Sequence, residues 1–375
     1  MYPPHYGMVS NGNLRDLLRA LTVALLTFKS FLSDRVGYEF LNLLTFKQYE
    51  LLSENLHRTK KLYVYGLPGT GKTVLAMKIM EKIRIMLQCS QEEVLYICET
   101  KGLRDFVQEE NICQAATRVE FLQGSFGEVK HIIIDEAQSF RDEEGDWYEK
   151  AMRLTSSPDL PEPGFLWIFL DYLQTCHNFP TGLPDAGRHD PVESLTQVVR
   201  SSNSVYGYVR NTMKNVVEGY AQGIPLQRLK RLVERATCAH PVKGKLEIRM
   251  MESGEIIKYV VEHCREYSRN GHSCTDLAVL FYEHEGVFTE YCKSCLEGEL
   301  QTSSRIPFKR MDNSSWRECA VVDSIQNFAG LERSIVFGIL PVSVQKLEHL
   351  LTTGLVWIAS RATLHLHVLF EAEPK

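Results

Sequence analysis

Gly66-Leu67-Pro68-Gly69-Thr70-Gly71-Lys72-Thr73 fits G-x-x-x-x-G-K-[S/T], the Walker A pattern of a loop that cradles phosphate. Its flanks supply the context that the chemistry requires. Leu62-Tyr63-Val64-Tyr65 before it reads as a buried strand, and Val74-Leu75-Ala76-Met77-Lys78-Ile79-Met80 after it has helical periodicity. Glycines let backbone N–H groups turn inward on a polyphosphate, and a helix N-terminus adds a favourable dipole. In that geometry Gly66, Pro68, Gly69, Thr70 and Gly71 line the loop, and Lys72 reaches the terminal phosphates. The Thr73 hydroxyl holds Mg²⁺. The expectation is a site for a nucleoside triphosphate.

Two further strand ends lie downstream. Ile132-Ile133-Ile134 runs into Asp135-Glu136-Ala137-Gln138. After a phosphate loop, the first acid at such a strand end supports the metal and the second orients or deprotonates the attacking water. Strand C-termini line the ligand crevice of a parallel sheet, which would bring both acids beside the loop. Trp167-Ile-Phe-Leu-Asp171-Tyr-Leu-Gln174 is another strand with polar groups at its exit. A tight turn would aim Asp171 and Gln174 at a γ-phosphate, and a solvated turn fits the same pattern equally well.

The first half alternates as βαβ units, with strand-like runs at 62–65, 94–98, 131–135 and 166–171. That order predicts an α/β fold with a parallel sheet covered by helices on both faces. Asn178 to Pro191 is polar and proline-rich and reads as a surface connection. The second half reads as helical from Val192 to Ala236, then as strands at 246–250, 277–281, 318–322, 335–340 and 356–358. The expected organisation is a lead-in helix within 1–34, a first lobe over 35–190 and a second over 191–375, with a compact insertion around 207–320. Leu21–Phe28 is too short to span a bilayer and lacks a clean cleavage site, so it reads as part of the amphipathic lead-in. No membrane segment is expected.

At 375 residues, 44% hydrophobic and 24% charged, the composition is that of a soluble globular chain. A net charge of −5 excludes a global basic field, so nucleic acid would need a locally basic cleft. Arg228, Lys230, Arg231 and Arg235 form a helical basic stripe that reads first as a solvated face. The 10 cysteines are scattered, and a zinc site built on Cys292 and Cys295 would have to recruit His263, Cys264, His272 or Cys274. Reduced, mostly structural thiols beside a nucleotide site imply an intracellular compartment, nucleus or cytoplasm unresolved.

Read in order, these pieces resemble the motif set of superfamily 1 helicases, from about residue 44 to residue 363. The set runs from Leu44-Thr45-Phe46-Lys47-Gln48 through the phosphate loop, Asp135-Glu136-Ala137-Gln138 and the Asp171/Gln174 exit. It continues with Val199-Arg200-Ser201-Ser202, Phe328-Ala-Gly330-Leu331-Glu332 and Ala359-Ser360-Arg361-Ala362-Thr363. More closely, Val36–Leu44, Leu62–Thr73 and Gly330–Gly338 resemble the C-terminal helicase-like region of the longer Schlafen family proteins. The Schlafen N-terminal core has no counterpart here, so this chain is expected to be a truncated or alternatively started product without nuclease activity.

The resemblance implies two RecA-like lobes with ATP and Mg²⁺ between them, acting on single-stranded DNA or RNA, with protein partners also conceivable. It implies that Gln48 reads adenine and that Lys72, Thr73 and Asp135 handle phosphate and metal. Glu136 is then the general base, Gln174 senses the γ-phosphate, and Gly330 and Glu332 lie near the nucleotide, with Glu332 on the ribose. Arg200 and Arg361 are arginine fingers from the second lobe. The chain departs from the pattern in leaving only about 35 residues between Glu99 and Asp135, where unwinding enzymes of this superfamily commonly insert a domain. It also carries Ala329 where many relatives have lysine. An ATP-driven motor and a nucleotide-gated binding module without unwinding therefore both stay open.

Overall fold

The computed structural model describes residues 45–158, 162–175, 179–219, 226–239, 242–282, 298, 302, 306–311, 316–342 and 348–372. The lead-in helix, the Val36–Leu44 stretch and the Cys292/Cys295 pair lie outside them.

Leu62, Tyr63, Val64 and Tyr65 are at most 1% exposed on β1 (Lys61–Gly66), because a parallel strand covered on both faces needs an uninterrupted apolar run. The same logic builds β2 (Val94–Cys98), β3 (Gln114–Thr117), β4 (His131–Ile134), β5 (Leu166–Leu170) and β6 (Val192–Leu195). These form a six-stranded sheet in the order β3-β2-β4-β5-β1-β6, parallel throughout. One strand, β5, separates the phosphate-loop strand from the acid-bearing strand β4. Helices α1 (Phe46–Glu50), α2 (Lys72–Leu87), α3 (Lys101–Glu109), α4 (Arg118–Gln123) and α5 (Trp147–Thr155) complete this RecA-like lobe.

A short parallel pair, β7 (Gln197–Val198) and β8 (Thr237–Cys238), leads into the second lobe with α6 (Asn203–Gly219) and α7 (Leu226–Glu234). Its sheet comprises β9 (Leu246–Met251), β10 (Leu277–Phe281), β11 (Phe308–Lys309), β12 (Ala320–Ser324), β13 (Arg333–Leu340) and β14 (Ala362–Glu371). The order is β11-β12-β10-β13-β14-β9, again parallel. Along β13 the faces alternate. Ile335, Phe337 and Ile339 join the core under α8 (Ser253–Arg269), while Val336 and Leu340 join the opposite core with Val356 and Ile358 of α9 (Glu348–Ser360). That opposite core is continuous with the first lobe.

The two parallel sheets match the expected fold class, and four sequence readings change. Val356–Ile358 lies in α9, not in a strand, and the last strand is β14; a short apolar run buried on all sides does not reveal its period. Residues 192–198 are extended rather than helical, and β6 joins the first sheet beyond the expected break at 190. Among the described residues of 207–320, β9, β10 and β11 are strands of the second sheet itself rather than part of an added insertion. The proline-rich connection is not wholly superficial: His189 is buried, stacked on Tyr63 at 4.1 Å, and Tyr65 Oη lies 2.7 Å from its Nδ1. Among the described residues no helix is long and apolar enough to cross a membrane.

Candidate nucleotide site between the lobes

The candidate phosphate loop joins β1 to α2 in two left-handed glycines, Gly69 (φ +73°) and Gly71 (φ +78°), a conformation that a side chain would strain. Gly66 is needed for a different reason. A Cβ there would come within 2.7 Å of Lys72 Cγ, so its absence lets the lysine stem fold back over the loop. Pro68 and Thr70 are buried in the loop, and Thr70 Oγ1 donates to the Leu67 carbonyl at 2.7 Å. Lys72 Nζ donates to the carbonyls of Gly66 (3.0 Å) and Leu67 (3.3 Å) and lies 3.6 Å from Asp171 Oδ2.

Asp135, just past the end of β4, draws together the candidate metal-supporting groups from α2 and β2. Thr73 Oγ1 donates to Asp135 Oδ2 at 2.7 Å, and Tyr96 Oη from β2 donates to the same oxygen at 2.9 Å. Asp135 Oδ1 accepts the Glu136 N–H at 3.0 Å. Complete burial, reinforced by the charge of Glu136, holds Asp135 above the ordinary carboxylate range; the Thr73 hydroxyl and Lys72 pull the other way. A hydroxyl and a buried carboxylate in contact, beside a lysine on a glycine loop, form a donor set that fits Mg²⁺ and a polyphosphate. Glu136 sits at φ +53°, a left-handed conformation costing a non-glycine residue about 1–2 kcal/mol. Its carboxylate accepts from Gln138 Nε2. Gln138 Oε1 in turn accepts the Asp171 N–H at 2.8 Å, which ties the ends of β4 and β5 together.

Asp171 and Gln174 do not form a solvated turn. They are 3% and 6% exposed, and Gln174 Nε2 donates to Asp171 Oδ2 at 2.8 Å. Burial raises the Asp171 carboxyl, and Lys72 opposes that rise. From the second lobe Arg361 enters between α9 and β14 and donates through Nη2 to Gln174 Oε1; Ser360 Oγ lies 3.4 Å from the same oxygen. Arg361 is 7% exposed and also donates to the Leu331 carbonyl at 3.4 Å. The series Arg361–Gln174–Asp171–Lys72 thus runs across the cleft into the phosphate loop.

The remaining predicted residues are held nearby. Gln48 is buried on α1, accepting from the Thr45 N–H at 2.7 Å and donating through Nε2 to the Thr70 carbonyl at 2.8 Å. Its amide therefore braces the loop. Arg200 follows Val199, whose N–H donates to the Gly69 carbonyl at 3.0 Å, yet its guanidinium pairs with Glu332 at 2.5 Å. These two residues, predicted to serve as finger and ribose ligand, are paired with each other. Gly330 (φ +81°) lies against Leu103 of α3, where a Cβ would meet Leu103 Cδ2 at 2.7 Å, and Thr100 Oγ1 donates to the Ala329 carbonyl at 3.3 Å. The Thr100–Ala329 contact crosses between the lobes.

Several cationic and aromatic side chains of the kinds that contact nucleic acid are engaged within the protein. Arg104 pairs with Asp105 and Glu120, and Arg228 lies over the Tyr65 ring at 4.9 Å. Trp147 and Trp316 are buried, and Phe126 packs against Phe121 at 5.5 Å. Lys230, Arg231 and Arg235 face solvent. Tyr96 is the functional candidate that the sequence did not reveal. A tyrosine in a buried strand reads as core, and only the β2–β4 pairing brings its hydroxyl to Asp135.

No protein-family model matches the chain. Among solved structures it is similar to arterivirus nonstructural protein 10, a helicase, at 14% identity and a TM-score of 0.41, over 86% of this chain and 61% of that one. A complex of arterivirus nonstructural protein 10 with DNA gives 13% identity, a TM-score of 0.41 and 63% of that chain. The PRRSV helicase gives 12%, 0.41 and 54%. This chain thus spans less than two thirds of each, and the strand order carries the fold.

Proposed function

We propose that this chain binds ATP with Mg²⁺ in the cleft and hydrolyses it to move on, or remodel, single-stranded DNA or RNA, as a superfamily 1 helicase-like domain of the Schlafen type working inside the cell. The observation that carries this reading is the contact of Arg361 with Gln174, in series with Asp171 and Lys72. The resemblance of Leu62–Thr73 and Gly330–Gly338 supports the Schlafen assignment.

On this reading the Lys72 ammonium leaves Asp171 and the loop carbonyls for the β- and γ-phosphates. Mg²⁺ held by Thr73 and Asp135 would neutralise charge developing on the phosphoryl oxygens. Glu136 takes the proton of the attacking water, and Gln174 orients the γ-phosphate. Arg361 offsets charge in the transition state, and Arg200 joins it once released from Glu332. Because Arg361 belongs to the second lobe, turnover requires the lobes to be together, which couples the chemical step to their relative motion.

Phosphate release, measured with and without single-stranded DNA or RNA, tests the proposal. Turnover stimulated by single strands and abolished in Glu136→Gln is expected. No turnover under either condition, or an unchanged rate in the variant, would reject the motor. Nucleic-acid binding that persists unaltered in Lys72→Ala without any turnover would identify a binding module instead.

A further inference from the structure

Outside the cleft residues, three residues from three elements of the second lobe converge: Glu247 on edge strand β9, His263 on α8 and His367 on β14. One ligand atom of each lies within 4.8 Å of the other two. We propose that Glu247, His263 and His367 form a binding site for a divalent transition metal of the Zn²⁺ class, which fastens β9 to α8 and β14.

The first argument is the donor set. Two imidazoles and a carboxylate suit Zn²⁺, Co²⁺ or Cu²⁺ far better than Mg²⁺ or Ca²⁺, which take oxygen ligands. The second is the support behind each ring. His263 Nδ1 lies 2.9 Å from the Tyr259 carbonyl one helical turn earlier. A carbonyl only accepts, so Nδ1 carries the proton and Nε2 keeps its lone pair. His367 is fully buried between two tyrosines, with Nδ1 2.8 Å from Tyr259 Oη and Nε2 2.9 Å from Tyr267 Oη. Tyr259 donates its single proton to Glu247 Oε2 at 2.7 Å, so without metal His367 donates to Tyr259 from Nδ1. Moving that proton to Nε2, where the Tyr267 oxygen accepts it, gives Nδ1 a lone pair, and the metal would displace the Tyr259 hydroxyl that now bridges Nδ1 and Glu247. Each imidazole would then have its second nitrogen held by the protein, the arrangement that orients metal-binding histidines.

The third argument sets the strength. Lys245 and Arg249 pair with Glu247 at 2.6 and 2.9 Å, and their side chains are 43% and 52% exposed. These cations oppose a dication, yet both can swing into solvent. The site should therefore bind at roughly micromolar concentrations, weaker than a closed structural zinc centre. Of the residues weighed as zinc ligands in the sequence, His263 alone takes part, and Cys292 and Cys295 lie outside the described residues. Cys264, next to His263, is buried in the apolar core, and Cys274 Sγ lies 3.2 Å from the Glu318 carbonyl.

The test uses the untagged full chain without nucleotide, titrated with Co²⁺ and followed by its visible bands, with Zn²⁺ as competitor. We expect one saturable equivalent, displaced by Zn²⁺, and a Zn²⁺-dependent rise in the thermal midpoint. His263→Ala should weaken binding about 100-fold and abolish that rise. His263 is half-buried at the helix surface, and Glu247→Gln provides a second variant should the first fail to fold. Absence of saturable binding below millimolar Co²⁺, or unchanged affinity in both variants, would overturn the site.

Discussion

Arg361 of the second lobe donates to the side-chain oxygen of Gln174 on the first, and Gln174 donates from its other end to Asp171. On the proposed function, the guanidinium assigned to the transferring phosphoryl group therefore rests on the residue assigned to sense that group. Two buried side chains separate it from Lys72. On the proposed function, ATP would not have to recruit the finger from solvent. It would have to break Lys72 from Asp171 and redirect contacts that already span the cleft.

The first expectation follows from that geometry. Arg361→Ala should lower ATP turnover by about 10³-fold or more while changing nucleotide affinity much less, because the finger acts on charge that develops in the transition state. Steady-state phosphate release and equilibrium binding of a fluorescent ATP analogue separate the two. Equal losses in both would assign Arg361 to ground-state binding.

Lys72 and Asp171 form a buried pair, so Lys72→Ala removes more than a phosphate ligand. It leaves Asp171 with Gln174 and the Leu173 N–H as hydrogen-bond partners. The variant should lose about 1–3 kcal/mol of stability, and Lys72→Ala with Asp171→Asn should recover part of it. Urea unfolding of these two proteins and of Asp171→Asn alone checks this, and additivity of the two changes would show that the pair is not coupled.

On the proposed function, Tyr96 acts through Asp135. Tyr96→Phe keeps the ring that fills the core and deletes one of two hydroxyls on Asp135 Oδ2. The fold should survive, while the gain in nucleotide affinity caused by Mg²⁺ should shrink several-fold. Binding measured with Mg²⁺ and with EDTA isolates this, since a merely structural tyrosine would shift both values alike.

Acid should weaken the fold. Burial, helped by Lys60, pushes His131 down to about 4, and its Nδ1 accepts the Phe165 N–H at 3.1 Å. Burial and the neighbouring His263 push His367 down to about 3. Between those values and the unfolded value near 6.5, the unfolded chain binds protons that the folded chain refuses. Stability is therefore full above about pH 6.5 and falls as the pH drops toward 4. Thermal midpoints at pH 7, 6 and 5 should decline, and less steeply in His131→Asn. Parallel declines in the two proteins would remove His131 from the account.

Much of the site was legible because its residues sit at the ends of uniformly apolar strands. Val94–Cys98 and Leu277–Phe281 match their predicted bounds, and the Asp135 and Asp171 strand exits follow from the same reading. Legibility failed where burial hides period. Val356, Trp357 and Ile358 are apolar in a helix as they would be in a strand, and β3 (Gln114–Thr117) is too short and mixed to register.

The linear chain by itself determined the glycine loop between β1 and α2, since glycines at 69 and 71 and the lysine after them are local demands of backbone geometry and charge. It also set the α/β alternation, because strand and helix periods are written residue by residue. Partnership was decided only in three dimensions. That Arg361 meets Gln174, that Arg200 is paired with Glu332, that Tyr96 reaches Asp135 and that Glu247 joins two histidines each depend on strand order and register. Contacts between elements far apart in the chain are fixed by how sheets and helices pack, and no local pattern encodes them.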